Sequence, residues 1–267
     1  MHQTSKTVAV LLIGVFALSG CDPSEEEQAD DASNRGVVQG GKTEFDEAIS
    51  NDSEAIRPIL RDADAYNERG LTYANRGEFD KAIADYNETI RLDPEFALAY
   101  YNRANALDEM GEFDKAITDY SQAIRRDPDF APAYNNRGLV HRNNGQLAKA
   151  IADYTEAIRL DPTYADAYNN RGVAHNRISE FEKAIADFTK AIRLNPGIAV
   201  AYTNRGTSYS MKGQSDKAIA EHTQAIRIEP AFAGAYINRG LTYREMGEQA
   251  KADADFAKAK ELGYSPE

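Results

Sequence analysis

Apolar and small residues recur along this chain with the spacing of amphipathic helices, in a pattern that repeats every 34 residues. In the first half of each repeat a tyrosine is followed four residues later by glycine or alanine, as in Tyr134 and Gly138. In the second half an alanine is followed four residues later by an aromatic residue or histidine, as in Ala150 and Tyr154. These spacings predict two helices per repeat, each with one buried face on which large side chains meet small ones.

The ends of the predicted helices carry their own signals. A glycine stands between the two helices of each repeat, except at Ser179, and a residue that adopts positive φ ends a helix tightly. A proline such as Pro162 follows the second helix in the first five repeats. It marks the end of that helix, because the residue before proline is pushed out of the helical conformation. These signals divide the chain into six units: 63–96, 97–130, 131–164, 165–198, 199–232 and 233–266.

This pattern resembles the tetratricopeptide repeat (TPR), with tyrosine in place of the family's usual tryptophan and arginine in place of its leucine. The resemblance covers residues 63–266 and implies an all-α fold, a right-handed α-solenoid of six helical hairpins. A column means the equivalent position in successive units. In two columns that carry isoleucine in the other units, the last unit carries Asp253 and Lys260, and in a column that carries arginine it carries Glu261. The array is therefore expected to finish at a polar end.

The residues before the first unit predict export and lipid attachment. The apolar run that ends at Leu18 is too short for a membrane span of about 20 residues, which indicates a signal peptide over 1–20. Its end, Leu-Ser-Gly-Cys, resembles the lipobox of bacterial lipoproteins, which implies that Cys21 becomes the first residue and carries fatty acyl chains such as palmitate. Asp22 resembles the signal that retains such proteins at the inner membrane in enteric bacteria.

Two further segments connect the predicted anchor to the array. Residues 21–43 comprise the lipidated cysteine and an acidic stretch of low hydrophobicity, which predicts a disordered stalk. In residues 44–62 the spacing of apolar residues matches that of one helix of the repeat, which predicts a single N-terminal capping helix. The expected location is the bacterial cell envelope, with the array facing the periplasm and the inner membrane favoured over the outer.

Composition narrows the classes of partner and chemistry. The net charge of −12 argues against nucleic acid or an anionic membrane surface as the main partner, because like charges repel. Cys21 is the only cysteine in the sequence, so no intramolecular disulfide and no cysteine-based metal site is possible. No phosphate-binding glycine loop, zinc-protease motif or nucleophile elbow occurs. We therefore expect no enzyme activity, no metal and no cofactor.

Two recurring polar columns are interpreted as architecture. An arginine recurs in every first helix and a carboxylate in every second helix, as in Arg137 and Asp153, which favours pairing between helices over an anion-binding ladder. His141 and His175 share one column, in which tyrosine or leucine stands elsewhere. They are interpreted as packed side chains, with a metal-binding or pH-sensing role as the alternative.

The asparagine column beside the arginines is the main functional candidate. In TPR arrays this column faces the concave side, and it resembles the asparagine ladder of the O-linked N-acetylglucosamine transferase superhelix, which grips peptide backbone. An amide side chain both donates and accepts hydrogen bonds, so we expect an exposed row that binds an extended peptide. The groove residues expected to contact it are Asn102, Asn136, Asn170, Asn204, Asn238, Asn135, Asn169 and Tyr101.

The sequence therefore predicts an adaptor or scaffold that binds protein or peptide partners of the cell envelope. The lysines that form the carboxylate clamp of chaperone-binding TPR domains are absent from the groove columns, so capture of an acidic C-terminus is not expected. The alternatives are a carbohydrate-binding module or an enzyme of the envelope. A third alternative is a homo-oligomer that forms through the capping helix.

Overall fold

The helices of the computed structural model, which describes residues 45, 49–53 and 62–264, follow the period of the sequence. Each unit between residues 62 and 264 contains two α-helices of 13 or 14 residues. The first helices are α1 Ala63–Asn75, α3 Ala97–Glu109, α5 Ala131–Asn143, α7 Ala165–Arg177, α9 Ala199–Met211 and α11 Ala233–Glu245. The second helices are α2 Phe79–Leu92, α4 Phe113–Arg126, α6 Leu147–Leu160, α8 Phe181–Leu194, α10 Ser215–Ile228 and α12 Gln249–Glu261.

The turns lie where the glycine and proline signals predict them. Gly145, between α5 and α6, has a φ of 73°, and Ser179 adopts the same left-handed region at 60° in place of the expected glycine. A side chain at positive φ is strained, so Ser179 holds its turn at a cost that the glycines of the other units avoid. After α6, Asp161 is extended at ψ 94°, as expected of a residue that precedes a proline.

In five of the six hairpins an aromatic or imidazole ring packs against a glycine, and in the second hairpin Ala104 stands at the glycine position. Tyr154 of α6 is fully buried, and a Cβ placed on Gly138 of α5 would lie 2.8 Å from its ring. Phe188 lies in the same way against Gly172, at 2.7 Å. The glycine column therefore sets how closely the two helices approach, and the large and small columns of the sequence face each other as predicted.

The contacts between units define the curvature of the array. Each second helix packs against the first helix of the next unit, and successive first helices also contact one another. Within the described residues, successive second helices make no such contact. Because the units lie closer together on the side of the first helices, these line the concave surface. The structure is the α-solenoid of six hairpins that the sequence predicts.

The two ends of the array differ in how much of them is described. At the N-terminal end residues 49–53 are helical, and Arg69 of α1 donates a hydrogen bond to Ser53 at 3.3 Å. Residues 44, 46–48 and 54–61 of the predicted capping helix lie outside the described residues, as do the predicted signal peptide over 1–20 and the predicted stalk over 21–43 with Cys21. At the C-terminal end Asp253 and Lys260 are exposed. No helix among the described residues has the length and apolar character needed to cross a bilayer.

Candidate functional site

The candidate site is the groove, meaning the concave surface formed by α1, α3, α5, α7, α9 and α11. Its floor is the seam where successive first helices meet, and asparagine side chains cross this seam. Asn170 of α7 donates from its amide to the side-chain oxygen of Asn135 on α5, at 3.0 Å. Asn204 of α9 makes the same bond to Asn169 on α7, also at 3.0 Å. The asparagine column is thus an inter-unit hydrogen-bond ladder.

The ladder continues toward the N-terminus with different partners. Asn102 donates to Asn67 at 2.9 Å. Asn136 donates to the Tyr101 hydroxyl and to Asn105, both at 3.0 Å. The ladder stops at the last unit, where the Asn238 amide donates to the Gly234 carbonyl of its own helix at 2.8 Å. The equivalent partner position in the fifth unit is Thr203.

The burial of the predicted peptide contacts differs from expectation. The prediction that these side chains are exposed is wrong for Asn102 and Asn135, which are 5% and 4% exposed. The remaining predicted contacts are partly buried: Asn136, Asn169, Asn170, Asn204, Asn238 and Tyr101. The physical reason is the close approach of the first helices, because an amide that reaches its neighbour across the seam is covered by it. Contact between these residues and a peptide stays a prediction.

The ladder leaves hydrogen-bonding capacity on two of its partly exposed members, Asn170 and Asn204. A side-chain amide carries two N–H donors and one carbonyl oxygen, and the seam uses one donor of Asn170 and one of Asn204. Within the described part of the chain no group donates to the side-chain oxygen of either residue. These two amides are therefore oriented by the fold while part of their hydrogen-bonding capacity remains for another molecule.

The arginine column pairs with the carboxylate column inside each unit, as the sequence predicts. Arg137 donates to both carboxylate oxygens of Asp153, from Nε at 3.0 Å and from Nη2 at 2.6 Å. Its Nη1 donates to Ser121 on the second helix of the preceding unit at 3.0 Å. Its guanidinium also lies 5.6 Å from the ring centre of Tyr134. Each arginine therefore joins three helices.

The fifth unit departs from this geometry because a glutamate replaces the aspartate. Arg205 donates to Glu221 through Nη2 alone, at 2.8 and 2.9 Å. The Nε of Arg205 is buried without a partner. The longer carboxylate keeps the pairing but not the two-pronged fit of the other units.

The two histidines of the shared column are packed side chains. His141 and His175 are each 7% exposed, and the Nδ1 of each lies within hydrogen-bond distance of the side chain five residues on, Gln146 at 2.8 Å and Glu180 at 2.7 Å. Burial lowers the pKa of His141, which favours its neutral form. Within the described residues no three His, Cys, Asp or Glu side chains are grouped as a metal site.

The charges in the groove are divided along the array. Glu68, Asp108 and Glu109 lie in the first two units, while Arg142 and Arg177 lie in the third and fourth. Burial raises the pKa of Glu68 and that of Asp108, so both carboxylates are partly desolvated. A desolvated carboxylate interacts more strongly with an approaching cation than one in water.

One feature of the groove is not predicted by the sequence, whose pattern assigns the aromatic position of the second helices to the core alone. The hydroxyl of Tyr120 on α4 crosses the hairpin and donates to Asn105 on α3 at 2.7 Å. The ring of Tyr101 lies 5.9 Å from that of Tyr120 and 4.8 Å from that of Phe130. The only signal in the sequence is Asn105 itself, which stands where other units carry an aliphatic residue or threonine.

Solved structures share this architecture. A structure of MamA is 33% identical, with a TM-score of 0.54, and the match covers 60% of this chain and 93% of that one. The structure of PilW, described as a type IV pilus biogenesis factor, is 21% identical with a TM-score of 0.69, over 76% of this chain and 94% of that one. YrrB, described as a TPR protein with an unusual peptide-binding site, is 24% identical with a TM-score of 0.57, over 69% and 95%.

Comparison with sequence families agrees with the fold. Among curated proteins no match is found. Family models described as tetratricopeptide repeat match residues 101–165, 165–198, 188–220 and 233–262, and one described as TPR repeat matches 70–111. Together these matches cover most of the six units, and the chain belongs to the tetratricopeptide repeat family.

Proposed function

We propose that this protein is a lipid-anchored adaptor that holds an extended segment of a partner protein in the groove. The TPR fold supports a protein–protein interaction scaffold. The single observation that carries the proposal is the ladder of oriented amides along the seam, with Asn136, Asn170 and Asn204 at its centre. A row of amides fits the backbone of an extended chain, whose N–H and C=O groups repeat along its length.

The bonds across the seam support this role. An amide already oriented by its neighbour loses little side-chain freedom when a ligand binds, and preorganisation of this kind raises affinity. Because Asn170 and Asn204 each keep an unused oxygen and one unused N–H, a partner adds hydrogen bonds without breaking the ladder. Buried Asn102 and Asn135 then serve to position the amides around them.

An adaptor fits the recurring polar residues better than an enzyme does. The arginine and carboxylate columns pair with one another in every unit, so they act as architecture. TPR proteins are in general non-catalytic adaptors. Carbohydrate binding and catalysis have no comparable observation in their favour.

Anchoring at Cys21 and a role in envelope assembly or regulation complete the proposal, and both rest on the sequence. The Leu-Ser-Gly-Cys end of the apolar run and the acidic stretch behind it motivate the anchor. The stalk would let the array reach partners away from the bilayer.

The first test is the triple change of Asn136, Asn170 and Asn204 to alanine. We expect partner affinity to fall about 10- to 1,000-fold, because each lost hydrogen bond contributes about 0.5 to 1.5 kcal/mol. Thermal stability should fall as well, since the seam loses its bonds. The measurement is pull-down of the partner that the wild type captures, carried out well below the unfolding temperature, with helicity checked by circular dichroism.

A matched control is the triple change of Asp114, Thr118 and Lys149 to alanine, which also leaves the net charge unchanged. These residues lie exposed on second helices, and their loss should leave binding intact. Full binding by a folded asparagine triple variant would place recognition outside the ladder.

The second test concerns the anchor, with Cys21→Ser as the variant. We expect wild-type protein in the membrane fraction and the variant in the soluble fraction, since the stable anchoring given by two or more acyl chains is lost. Fractionation followed by mass spectrometry of the N-terminal peptide measures both position and acylation. An unchanged membrane level in the variant would refute lipid attachment at this residue.

A further inference from the structure

The helical segment 49–53 lies where the second helix of a preceding unit would lie. Arg69 of α1 donates from Nη1 to Ser53 at 3.3 Å. In the same way Arg137 of α5 donates from Nη1 to Ser121, on the second helix of the preceding unit, at 3.0 Å. Ser53 precedes Ser121 by two periods of 34 residues. The segment therefore has the position and the register of a second helix.

Asp52 occupies the aromatic column of this segment. The next member of that column, Tyr86, packs against Ala106 on the first helix of the following unit. Asp52 contacts the residue equivalent to Ala106, which is Thr72, and the Thr72 hydroxyl donates to its Oδ2 at 3.4 Å. Asp52 is 0% exposed, and its Oδ1 has no hydrogen-bond partner among the described residues. A carboxylate is thus buried where the other units carry a ring.

The described surroundings of Asp52 leave its charge uncompensated. Burial raises the pKa of Asp52 to about 7, and the carboxylates of Glu68 and Asp85 add to this effect. The Thr72 hydroxyl and the charge of Arg69 act in the opposite direction, but Arg69 is already the two-pronged partner of Asp85, at 2.8 and 2.7 Å. Because an uncompensated buried carboxylate is costly, a further positive charge would stabilise this end of the array.

The sequence before this segment continues the frame of the repeat. Residues 34–37 read Asn-Arg-Gly-Val, which is also the sequence of 170–173 in α7, four periods later. Residues 45–49 read Phe-Asp-Glu-Ala-Ile and differ at one position from 113–117, which begin α4 two periods later. Residues 29–62 therefore have the length and the pattern of a complete unit.

The arginine and the carboxylate of this stretch complement each other. In each of the six units the arginine pairs with the acidic residue 16 positions later, as Arg137 does with Asp153. Sixteen positions after Arg35 the sequence carries Asn51, a neutral amide, and the next residue is Asp52. The sequence thus gives Arg35 no carboxylate at the usual position, while Asp52 has a carboxylate without a cation of its own. Charge complementarity identifies the segment around Arg35 as the one that fits this face.

We propose that residues 29–41 dock as a first helix on segment 49–53 and complete a seventh unit at the N-terminal end, with Arg35 as the ionic partner of Asp52. The groove then gains one more first helix, and Asn34 adds a member to the asparagine column. The stalk shortens from 21–43 to the residues before 29, which holds the array closer to the lipid anchor.

The first test is hydrogen exchange of the full-length chain in detergent, measured by mass spectrometry. We expect the backbone amides of 33–41 to exchange at least about tenfold more slowly than those of 22–28, because the hydrogen bonds of a docked helix protect them. Arg35→Gln should lower this protection about tenfold when Asp52 is present and less than about twofold in the Asp52→Asn background. The charge-matched control is Lys42→Gln, outside the proposed helix, which should leave the protection unchanged.

The second test determines the register of the docked helix by cross-linking. Asn170 contacts Asn135, which lies 35 residues before it, and the equivalent pair at the N-terminal end is Glu68 and Ser33. In a chain whose native cysteine is replaced by serine, Ser33→Cys with Glu68→Cys should be bridged by dibromobimane, a short thiol-to-thiol linker. The control pair is Ser24→Cys with Glu68→Cys, which should react about tenfold more slowly because Ser24 lies before the proposed helix.

The opposite outcomes overturn the inference in distinguishable ways. Exchange in 33–41 that is as fast as in 22–28, or equal cross-linking of the two cysteine pairs, would refute the docked helix. An effect of Arg35→Gln that is the same in the Asp52→Asn background would refute the ion pair. These measurements need no partner in the groove, so their failure leaves the proposed function standing.

Discussion

Replacing Arg137 by alanine is expected to lower the free energy of unfolding by about 3 kcal/mol, because it leaves the carboxylate of Asp153 buried and unpaired. Asp153 is 7% exposed, and Arg137 is its two-pronged partner. The same change removes the bond to Ser121 of the preceding unit. We expect the lower end of the range for buried pairs, since the Arg137 side chain keeps 20% of its surface exposed.

The matched control is Arg159→Ala in the same unit. Arg159 also pairs with a carboxylate, that of Glu156, but the two side chains are 62% and 34% exposed, so its loss should cost less than about 1 kcal/mol. Urea unfolding followed by circular dichroism at neutral pH compares the two. Equal losses would mean that burial does not distinguish the pairs and that the arginine column is not architectural.

The second large effect is expected at His222, where phenylalanine should stabilise the protein by about 1 to 2 kcal/mol at neutral pH. Both ring nitrogens of His222 are buried without a partner, and removing such groups relieves their desolvation cost. The ring stands in a column with Phe188 and Phe256. A Cβ on Gly206 would lie 2.6 Å from the His222 ring, close to the 2.7 Å between Gly172 and Phe188, so the site fits a phenyl ring.

Acid should widen the difference between this variant and the wild type. Burial lowers the pKa of His222 to about 4 from its ordinary value of 6.5, and the charge of Arg239 adds to the effect. Between pH 6.5 and about pH 4, His222 is protonated in the unfolded chain and neutral in the folded chain. The His222 contribution to stability is therefore complete above pH 6.5 and is lost as the pH falls toward 4, by roughly 3 kcal/mol in total. His222→Phe removes this loss.

The measurement is the urea midpoint of wild type and variant at pH 7 and pH 4.5. His175→Tyr is the control, because tyrosine stands in that column in other units and His175 already has Glu180 as a partner at 2.7 Å. Its replacement should bring no gain at pH 7. A His222→Phe protein that is less stable than wild type at pH 7, or whose advantage stays constant in acid, would contradict the account of an unpaired, neutral imidazole.

The period of the sequence determines the helices, the turns and the fold class. Tyr154 against Gly138 is readable from the sequence because residues four apart share a helix face, and the repetition of the pair shows which columns must meet. The pairing of Arg137 with a carboxylate column is predictable for the same reason. The hydrogen bond from Arg137 to Ser121 is not predictable from the sequence, because it depends on how the preceding unit is placed.

The sequence also places asparagines in one column on the inner helices, but only the tertiary structure decides what they contact. Local periodicity sets which face of a helix a residue occupies. The distance between α5 and α7 is set instead by the packing of whole hairpins, and it brings Asn170 within 3.0 Å of Asn135. The same distance buries Asn135 and leaves one side of Asn170 available. The exposure of these asparagines follows from this spacing between units, which arises from side chains far apart in the chain.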